Sequence, residues 1–322
     1  MGDRVGSVKS PRATASLLVT MAAVLFSING IVAKWVMEAG LSPWRLTEIR
    51  ATGAGLIVAL YLVLTGRARE LVIQKSDLLT LLVFGALGIA SVQSLYFFSI
   101  LHLHVSIAII IQFTAPIWIV LYLRIFRKQR IAGLMWLGLS AAFAGLLFLA
   151  QIWQGLTLNG PGLIASFGDA FSLVVYFLLG RKLSARYSGE AMAVWGFGIT
   201  AVIFAIAKPW WSFPTSIFAK QVDLNGKFAG HHAPGWLLIA FVIFFGTVIP
   251  YTSVLIGVKH LSPQVTAVIG MLEPVLAGVW GWIFLYEKLD TLQLFGALIV
   301  LVGIYISSFL ASSNKEGVDG HI

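Results

Sequence analysis

The sequence predicts an all-α integral membrane protein whose ten transmembrane helices form two inverted five-helix repeats. The prediction rests on the composition, the length of the apolar segments and an internal repeat. Of the 322 residues, 59% are hydrophobic and only 11% are charged, and the mean hydropathy is +0.92. Soluble domains carry about 25% charged residues. The alternating segments of roughly ten residues that are typical of membrane barrels do not occur, so we expect helical spans.

Ten apolar segments have the length of roughly 20 residues that a helix needs to cross a bilayer. They cover approximately residues 17–39, 43–65, 77–101, 104–126, 131–150, 160–182, 189–208, 235–258, 263–285 and 290–311. Residues 1–16 are polar and lead into a first span of full length, so we expect a retained helix and no cleaved signal peptide. The long connection 209–234 begins with aromatic residues, which suit a membrane interface. Residues 312–322 form a polar tail.

Lysine and arginine residues concentrate in alternate connections between the spans. They include Arg4, Lys9, Arg12, Arg67, Arg69, Lys75, Arg124, Arg127, Lys128, Arg130, Arg181, Lys182 and Arg186. The connection after span five, QIWQGLTLNGPG, has none. Because positively charged loops stay in the cytoplasm, we expect both termini there, with the chain in a bacterial inner (plasma) membrane. The net charge of +9 lies in short loops between apolar segments, so it indicates a lipid bilayer as the partner and not a nucleic acid.

An internal repeat relates the two halves of the chain at a constant shift of 158 residues. The shift pairs His102 with His260, Pro116 with Pro274, Gly138 with Gly296 and Gly145 with Gly303. Each half, 17–150 and 160–311, holds five spans, and an odd number requires the second half to enter the membrane in the opposite direction. The loop charges agree, since RIFRKQR in the first half corresponds to WIFLYEKLD in the second. Inverted repeats are typical of transporters that bind their substrate near the bilayer midplane.

Two stretches resemble a known family. PVLAGVWGWIFLYEKLDTLQLFGALIVLVGIYI, from Pro274, resembles the end of the EamA repeat of the drug/metabolite transporter superfamily, with its mid-helix proline, its acid at the helix end and its glycine-spaced final helix. PWRLTEIR, from Pro43, is similar to the second-helix stretch of the first repeat. The first half departs from the pattern because Gln129 stands where the second half has Glu287. Among such carriers, the chain most resembles the YddG-type bacterial exporters of aromatic and other neutral amino acids.

The resemblance implies ten helices around a central cavity and export without ATP. It does not determine the substrate, because the family's substrates are diverse.

Glu273 and Pro274 lie in the middle of a membrane-length apolar segment. A charged side chain there costs roughly 2.5–3.5 kcal/mol, and an interior proline costs about 3 kcal/mol. One interpretation is that the acid faces a wet cavity, where it binds a substrate ammonium or carries a coupling proton. The alternative is an acid hydrogen-bonded inside the bundle beside a simple kink. Pro116, in QFTAPIW, is the equivalent residue of the first half, and we expect both prolines to mark kinks that serve gating.

Further polar and aromatic residues at similar depth are candidates for the substrate cavity. With Glu273, the candidates are Asn29, Gln93, Tyr96, Gln112, Asp169, Tyr176 and Trp280. Hydrogen bonding or packing between helices is the alternative for each. A structural role, with an outer gate as the alternative, is expected for Lys34, Glu38, Arg45, Glu48 and Arg50. We expect His231 and His232, in the outer loop, to be solvated and not to be metal ligands. The chain has no cysteine, and we expect neither a metal nor a cofactor.

These observations favour a secondary transporter that exports neutral or aromatic amino acids, or similar small metabolites, by alternating access. Another metabolite or drug as substrate, and a channel, stay open as alternatives. Coupling to a proton is one mechanism, and facilitated diffusion is the other. An enzyme is disfavoured because no catalytic motif such as H-E-x-x-H or G-x-S-x-G occurs. An ATP-driven pump is disfavoured because the phosphate-binding loop G-x-x-x-x-G-K-[ST] is absent.

Overall fold

The computed structural model describes residues 11–103, 105–151, 159–284 and 290–310. Within these residues ten helices are long and apolar enough to cross a membrane. They are α1 (Pro11–Glu38), α2 (Pro43–Leu64), α3 (Lys75–Ile100), α4 (Ile107–Ile125), α5 (Gly133–Ala150), α6 (Gly160–Leu183), α7 (Gly189–Ala207), α8 (Gly235–His260), α9 (Pro263–Phe284) and α10 (Thr291–Ser308). The predicted ten-helix, all-α membrane architecture is thereby confirmed.

The helix boundaries lie within a few residues of the predicted ones, with the first helix as the largest difference. It begins at Pro11 and not at residue 17, because a helix can continue past the membrane boundary that the apolar pattern marks. Proline is tolerated in a first turn, where its missing N–H has no acceptor to satisfy. The predictions for Glu287, for residues 1–10 and for the tail 312–322 lie outside the described residues.

The long connection between α7 and α8 contains the two strands that the described part of the chain forms. Strands β1 (Gln221–Asp223) and β2 (His232–Pro234) pair antiparallel, with Val222 opposite Ala233. Val222 is buried in an apolar cluster with Trp35 and Phe213. This contact holds the hairpin against the end of α1, so the connection covers one end of the bundle.

The repeat is visible in the backbone. The helical segment Ser91–His102, which contains the end of α3, and the last segment of α8, Ile249–His260, are related by the same shift of 158. Each follows a wide π-helical turn, at Phe84–Ala90 and Phe244–Val248. Such turns are rare and often occur at functional sites.

Helices α4 and α9 are each interrupted near the middle. The segment Val105–Gln112, which contains the start of α4, is followed after a two-residue turn by Ala115–Ile125. In α9, Pro263–Gly270 is followed after Met271 by Leu272–Phe284. Each second segment has a proline in its first turn, where a missing N–H is harmless. The two halves therefore carry broken helices at equivalent places.

Helices α5 and α10 pack closely through glycines. A Cβ atom on Gly138 would lie 2.6 Å from the Gly303 carbonyl oxygen, and one on Gly145 would lie 2.6 Å from that of Gly296. Small residues allow such backbone contact between membrane helices. The shift of 158 residues relates Gly138 to Gly296 and Gly145 to Gly303, so the contact 138–303 is equivalent to the contact 296–145. This exchange is expected of two inverted repeats that are related by a pseudo-two-fold axis.

Candidate functional site

A cavity of about 130 Å³ lies between the two halves. This is roughly ten times the volume that a single buried water needs, so the cavity has room for a small molecule. Its wall is formed by residues of α1, α3, α4, α6, α8 and α9, and also by Arg50 of α2. Both broken helices contribute residues beside their interruptions.

Most of the candidate residues from the sequence line this cavity. They are Asn29, Gln93, Tyr96, Gln112, Tyr176 and Glu273. The cavity lining does not include Asp169, Trp280, Pro116 or Pro274. The two prolines lie next to the wall, since Gln112 and Glu273 on the adjoining turns belong to it.

Glu273 stands in the first turn after the α9 interruption. Its carboxylate accepts no hydrogen bond and forms no ion pair within the described part of the chain. It does interact electrostatically with Arg50 and Asp169. An ionisable residue inside a membrane protein normally faces the interior or a wet cavity and marks a functional site. Glu273 therefore presents an acid to the cavity with no protein group to neutralise it at contact distance.

Arg50 is the main residue of the site that the sequence analysis assigned elsewhere. It is 4% exposed, and its side chain is held in place by neutral groups. Nε donates to Thr247 Oγ1 at 2.9 Å and Nη2 donates to the Gly246 carbonyl at 3.1 Å, while the guanidinium lies 5.7 Å from the centre of the Phe97 ring. Among the described residues no carboxylate lies within ion-pair distance of Arg50. A buried guanidinium held by neutral acceptors keeps donors for an anion.

A signal for Arg50 was present in the sequence. The residue lies eight positions into α2, at a depth where a charge is as costly as at Glu273. Its neighbours Arg45 and Glu48 lie close in sequence and belong to the helix end, so the three residues were assigned one role. The structure separates them: Arg45 and Glu48 pair with each other, and Arg50 turns to the cavity.

Several buried polar atoms at the cavity lack a hydrogen-bond partner. Neither amide atom of Gln93 is paired, and the Asn29 Oδ1 and the Tyr176 hydroxyl are also unpaired. Buried polar groups in native proteins are nearly always paired with protein or with water. The π-helical turn of α8 contributes to this arrangement, because a Cβ atom at Gly246 would lie 1.8 Å from Asn29 Oδ1. These atoms are where water or a bound ligand would hydrogen-bond.

Aromatic rings form another part of the wall. Tyr251 packs edge-on against Phe26 at 4.9 Å and against Tyr176 at 6.0 Å between ring centroids. Tyr176 in turn stacks on the buried Phe84 at 5.6 Å. Edge-to-face packing at these distances holds the rings in fixed orientations. The cavity thus combines charged and amide groups with a rigid aromatic surface.

Asp169 and Trp280 have other surroundings. Asp169 is 1% exposed, and its Oδ1 has no hydrogen-bond partner. It interacts electrostatically with Glu273 but does not line the cavity. Trp280 donates from Nε1 to Ser27 Oγ at 2.9 Å and stacks on Phe284. Its indole therefore joins α9 to α1.

Ion pairs occur at both ends of the bundle. At the basic end, where the Lys- and Arg-rich loops lie, Arg67 contacts Glu70 at 2.6 Å and Glu190 at 3.0 Å, which ties the α2–α3 loop to α7. The pKa of Glu70 is lowered, first by the hydrogen bonds from Arg67 and then by that from Ser188.

At the other end Arg45 contacts Glu48 at 2.6 Å, and both are buried. Arg45 Nη1 also donates to the Lys208 carbonyl at 2.6 Å, so α2 is joined to the end of α7. Lys34 and Glu38 form an exposed pair at 3.9 Å. The two halves are thus joined by the Arg67–Glu190 ion pair at the basic end and by the hydrogen bond from Arg45 to the Lys208 carbonyl at the other end.

Ten helices arranged as inverted repeats, with a polar cavity at the seam between broken helices, define the architecture of a secondary transporter. The model of the EamA-like transporter family matches residues 13–151 and again residues 160–309. The chain belongs to this family. It is a multi-pass transporter of small molecules of the bacterial inner-membrane type, not an enzyme.

Relatives and a solved structure agree with this assignment. The chain is 23% identical to the "Uncharacterized inner membrane transporter YicL" of Salmonella typhimurium, over 91% of this chain and 94% of the relative. It is 27% identical to the "Threonine/homoserine exporter RhtA" of Escherichia coli K12, over 70% of each chain. A crystal structure with 18% sequence identity superposes with a TM-score of 0.76, covering 94% of this chain and 99% of the other, and shows the same fold.

Proposed function

We propose that the protein exports neutral amino acids, or small metabolites of similar chemistry, by alternating access of the halves 17–150 and 160–311. One observation carries the proposal: Arg50 from the first half and Glu273 from the second line one cavity, and neither has an ionic partner at contact distance among the described residues. A zwitterion supplies both missing charges. Its binding would connect the two halves across the cavity.

The chemistry of the wall supports this choice of substrate. The fork of Arg50 matches a carboxylate, which guanidinium groups bind through two parallel hydrogen bonds. Glu273 would accept from the substrate ammonium, and the unpaired amide of Gln93 has capacity for further bonds. Tyr251 and Tyr176 would contact the substrate side chain.

Two substrate groups follow from two different observations. The aromatic wall favours aromatic amino acids and accords with the resemblance to YddG-type exporters. The similarity to an exporter named for threonine and homoserine favours small hydroxylated amino acids. Both groups share the zwitterion that Arg50 and Glu273 would bind, so we propose the zwitterion as the common requirement.

The broken helices support the proposed movement. The interruptions before Pro116 and Pro274 lie at equivalent places beside the cavity, and a helix with missing hydrogen bonds bends there at low cost. The Arg67–Glu190 ion pair and the hydrogen bond from Arg45 to the Lys208 carbonyl would open in turn at the two ends. The basic end is assigned to the cytoplasm because positive loops stay there, which places both termini on that side.

Exchange assays in proteoliposomes test the proposal. Vesicles loaded with unlabelled threonine, homoserine or phenylalanine are given the labelled amino acid outside, with and without a pH gradient. We expect counterflow with the wild type. Arg50→Gln should abolish it, and the exposed-surface variant Lys34→Gln should leave it intact. A response to the pH gradient selects proton coupling, and its absence selects facilitated diffusion. Counterflow of none of a full amino-acid panel would overturn the proposal.

A further inference from the structure

A second pocket of about 430 Å³ lies at the basic end of the bundle, where α4, α6 and the α8–α9 connection meet. We call it the seam pocket. Tyr122 and Arg127 of the first half line it together with Arg181, His260 and Gln264 of the second. It is separate from the central cavity, since the two share no lining residue. A ligand here would contact both halves.

The described lining of the seam pocket carries positive charge and no acidic side chain. Arg127 and Lys182 line it, and their side chains make no hydrogen bond or ion pair to any residue that the structure describes. None of its described lining residues is an aspartate or a glutamate. The nearby Asp77 is held by Arg186 at 2.9 Å. A cleft lined by one sign of charge concentrates ions of the opposite sign.

Arg181 completes the cationic wall in a fixed position. Its Nη1 donates to the Val258 carbonyl at 3.0 Å and to the Lys259 carbonyl. These are carbonyls in the last turn of α8, which have no partner within their own helix. The bonds hold the guanidinium at the pocket while its remaining N–H groups stay available.

Gln264 indicates a second requirement of the ligand. The residue is 6% exposed, and its Oε1 receives no hydrogen bond. A buried amide oxygen without a donor has lost its hydrogen bonds to water, and a donor on the ligand would restore one. The pocket therefore suits an anion that also carries a hydroxyl or amine group.

The location favours a lipid as the source of this anion. The pocket lies at helix ends, where we expect the bilayer headgroups, and the residues at the end of α4 and just after it are exposed: Ile125 is 60% and Phe126 is 74% exposed. Such apolar surface next to the pocket is suited to acyl chains. Basic pockets between membrane helices on the cytoplasmic side are known to hold anionic headgroups.

We propose that the seam pocket binds a phosphate-class anion bearing a hydroxyl group, supplied by the headgroup of a phospholipid such as phosphatidylglycerol. Arg127, Lys182 and Arg181 bind the phosphate, and Gln264 accepts from the headgroup hydroxyl. By contacting both halves at once, the lipid stabilises the conformation described here. The site is distinct from that of the transported substrate, so its test does not depend on transport.

Binding of fluorescent phosphatidylglycerol to the purified chain tests the site. A basic residue near an anionic lipid contributes about 1 kcal/mol, which corresponds to roughly a fivefold change in affinity. We expect Arg127→Gln to weaken binding about fivefold and the double variant with Lys182→Gln roughly 30-fold. Arg130→Gln is the matched control, because Arg130 lies in the same loop but does not line the pocket. Equal binding by the double variant and the control would overturn the proposal.

Three competitors identify the ligand. Phosphatidylcholine, which has no net charge, should not displace the probe, and displacement by it would contradict an anion site. Displacement by inorganic phosphate at millimolar concentration, lost in the double variant, would keep the anion site and overturn its lipid source. Gln264→Leu should weaken phosphatidylglycerol but not phosphatidic acid, which lacks the headgroup hydroxyl. If Gln264→Leu weakened the binding of both lipids equally, Gln264 would not accept a hydrogen bond from the headgroup hydroxyl.

Discussion

In the first half of the bundle α4 is interrupted before Ala115 and Pro116, and in the second half α9 is interrupted before Glu273 and Pro274. Both helices are broken at equivalent places, but the repeat shift of 158 residues pairs Glu273 with Ala115. The first half instead contributes a charge of opposite sign through Arg50. The scaffold therefore follows the repeat while the charges do not, and one cavity receives a cation from one half and an acid from the other.

This difference separates two kinds of residue. Those that hold the scaffold should come in equivalent pairs, and substituting either member should cost about the same. Those that bind the substrate should have no equivalent. Substitutions of both kinds test this distinction, beginning with the largest expected effect.

Replacing Arg50 should have the largest effect. Arg50→Gln removes the charge that we assign to the substrate carboxylate, and we expect a loss of roughly 100-fold or more in exchange rate per unit substrate, since bonds to charged groups are worth about 1.5–3 kcal/mol each. Arg50→Lys keeps the charge but lacks the two-pronged fork, so most of the loss should remain.

The measurement is counterflow in proteoliposomes, together with a thermal unfolding curve for each variant. The curves are needed because Arg50 also bonds Thr247 and Gly246. Wild-type exchange by Arg50→Lys would show that a point charge suffices. Wild-type exchange by Arg50→Gln would remove Arg50 from the substrate site.

Glu273→Gln should reduce exchange roughly 10- to 100-fold, because a neutral amide loses the charge-assisted bond to the substrate ammonium. The carboxylate has no hydrogen bond to lose within the described part of the chain, so we expect the melting temperature to stay the same or rise. The converse variant, Ala115→Glu, places an acid at the equivalent position of the first half. If it restored exchange to Glu273→Gln, the two halves would be functionally interchangeable and the distinction between paired and unpaired residues would fail.

The glycines between α5 and α10 should behave as an equivalent pair. A Cβ atom at Gly145 would lie 2.6 Å from the Gly296 carbonyl, and one at Gly303 would lie 2.4 Å from the Ala142 nitrogen. Either change to alanine forces the helices apart, at a cost of about 1–3 kcal/mol. We therefore expect Gly145→Ala and Gly303→Ala to lower the melting temperature by equal amounts. Gly198→Ala is the control, since a Cβ atom there would have no neighbour within 4 Å. Unequal decreases for the two variants would argue against a symmetric contact between α5 and α10.

The sequence was sufficient for most of the fold because membrane insertion imposes strong constraints. Apolar length alone determines where ten helices cross, and Pro116 and Pro274 mark the broken helices. The hairpin at Gln221–Asp223 was missed because strands of three residues are too short to show an alternating pattern. Its stability comes from the burial of Val222 against distant residues, which local sequence does not encode.

The site was less predictable because the sequence indicates how deep a residue lies in the membrane but not which neighbouring helix its side chain faces. Gln93 and Glu273 were found from polar character at mid-depth. Trp280 was included because it lies seven residues from Glu273, on the same side of an ideal helix, yet its indole bonds Ser27 on α1. Arg50 was assigned to the helix end beside a genuine ion pair. Both cases depend on which neighbouring helix packs against the residue, and that is a property of the tertiary structure.

The smallest expected effect concerns the ion pair at the basic end, which joins the halves without entering the cavity. The pKa of Glu70 is lowered in the folded protein, chiefly by Arg67. A lowered carboxyl pKa adds stability that is complete above the ordinary carboxyl pKa and is lost as the pH falls through the folded-state value. Since both side chains are about one-third exposed, the contribution should be only about 0.2–1 kcal/mol.

Melting temperatures measured from pH 7 downward should therefore fall slightly more for the wild type than for Glu70→Gln. Arg67→Gln should lose the same pH-dependent part, because the two substitutions remove one interaction. If the wild type and Glu70→Gln kept a constant difference down to strongly acidic pH, Glu70 would contribute through packing and not through its charge. A larger acid sensitivity in Glu70→Gln than in Arg67→Gln would instead direct attention to Glu190, the second acid that Arg67 contacts at 3.0 Å, because only Arg67→Gln removes that pair as well.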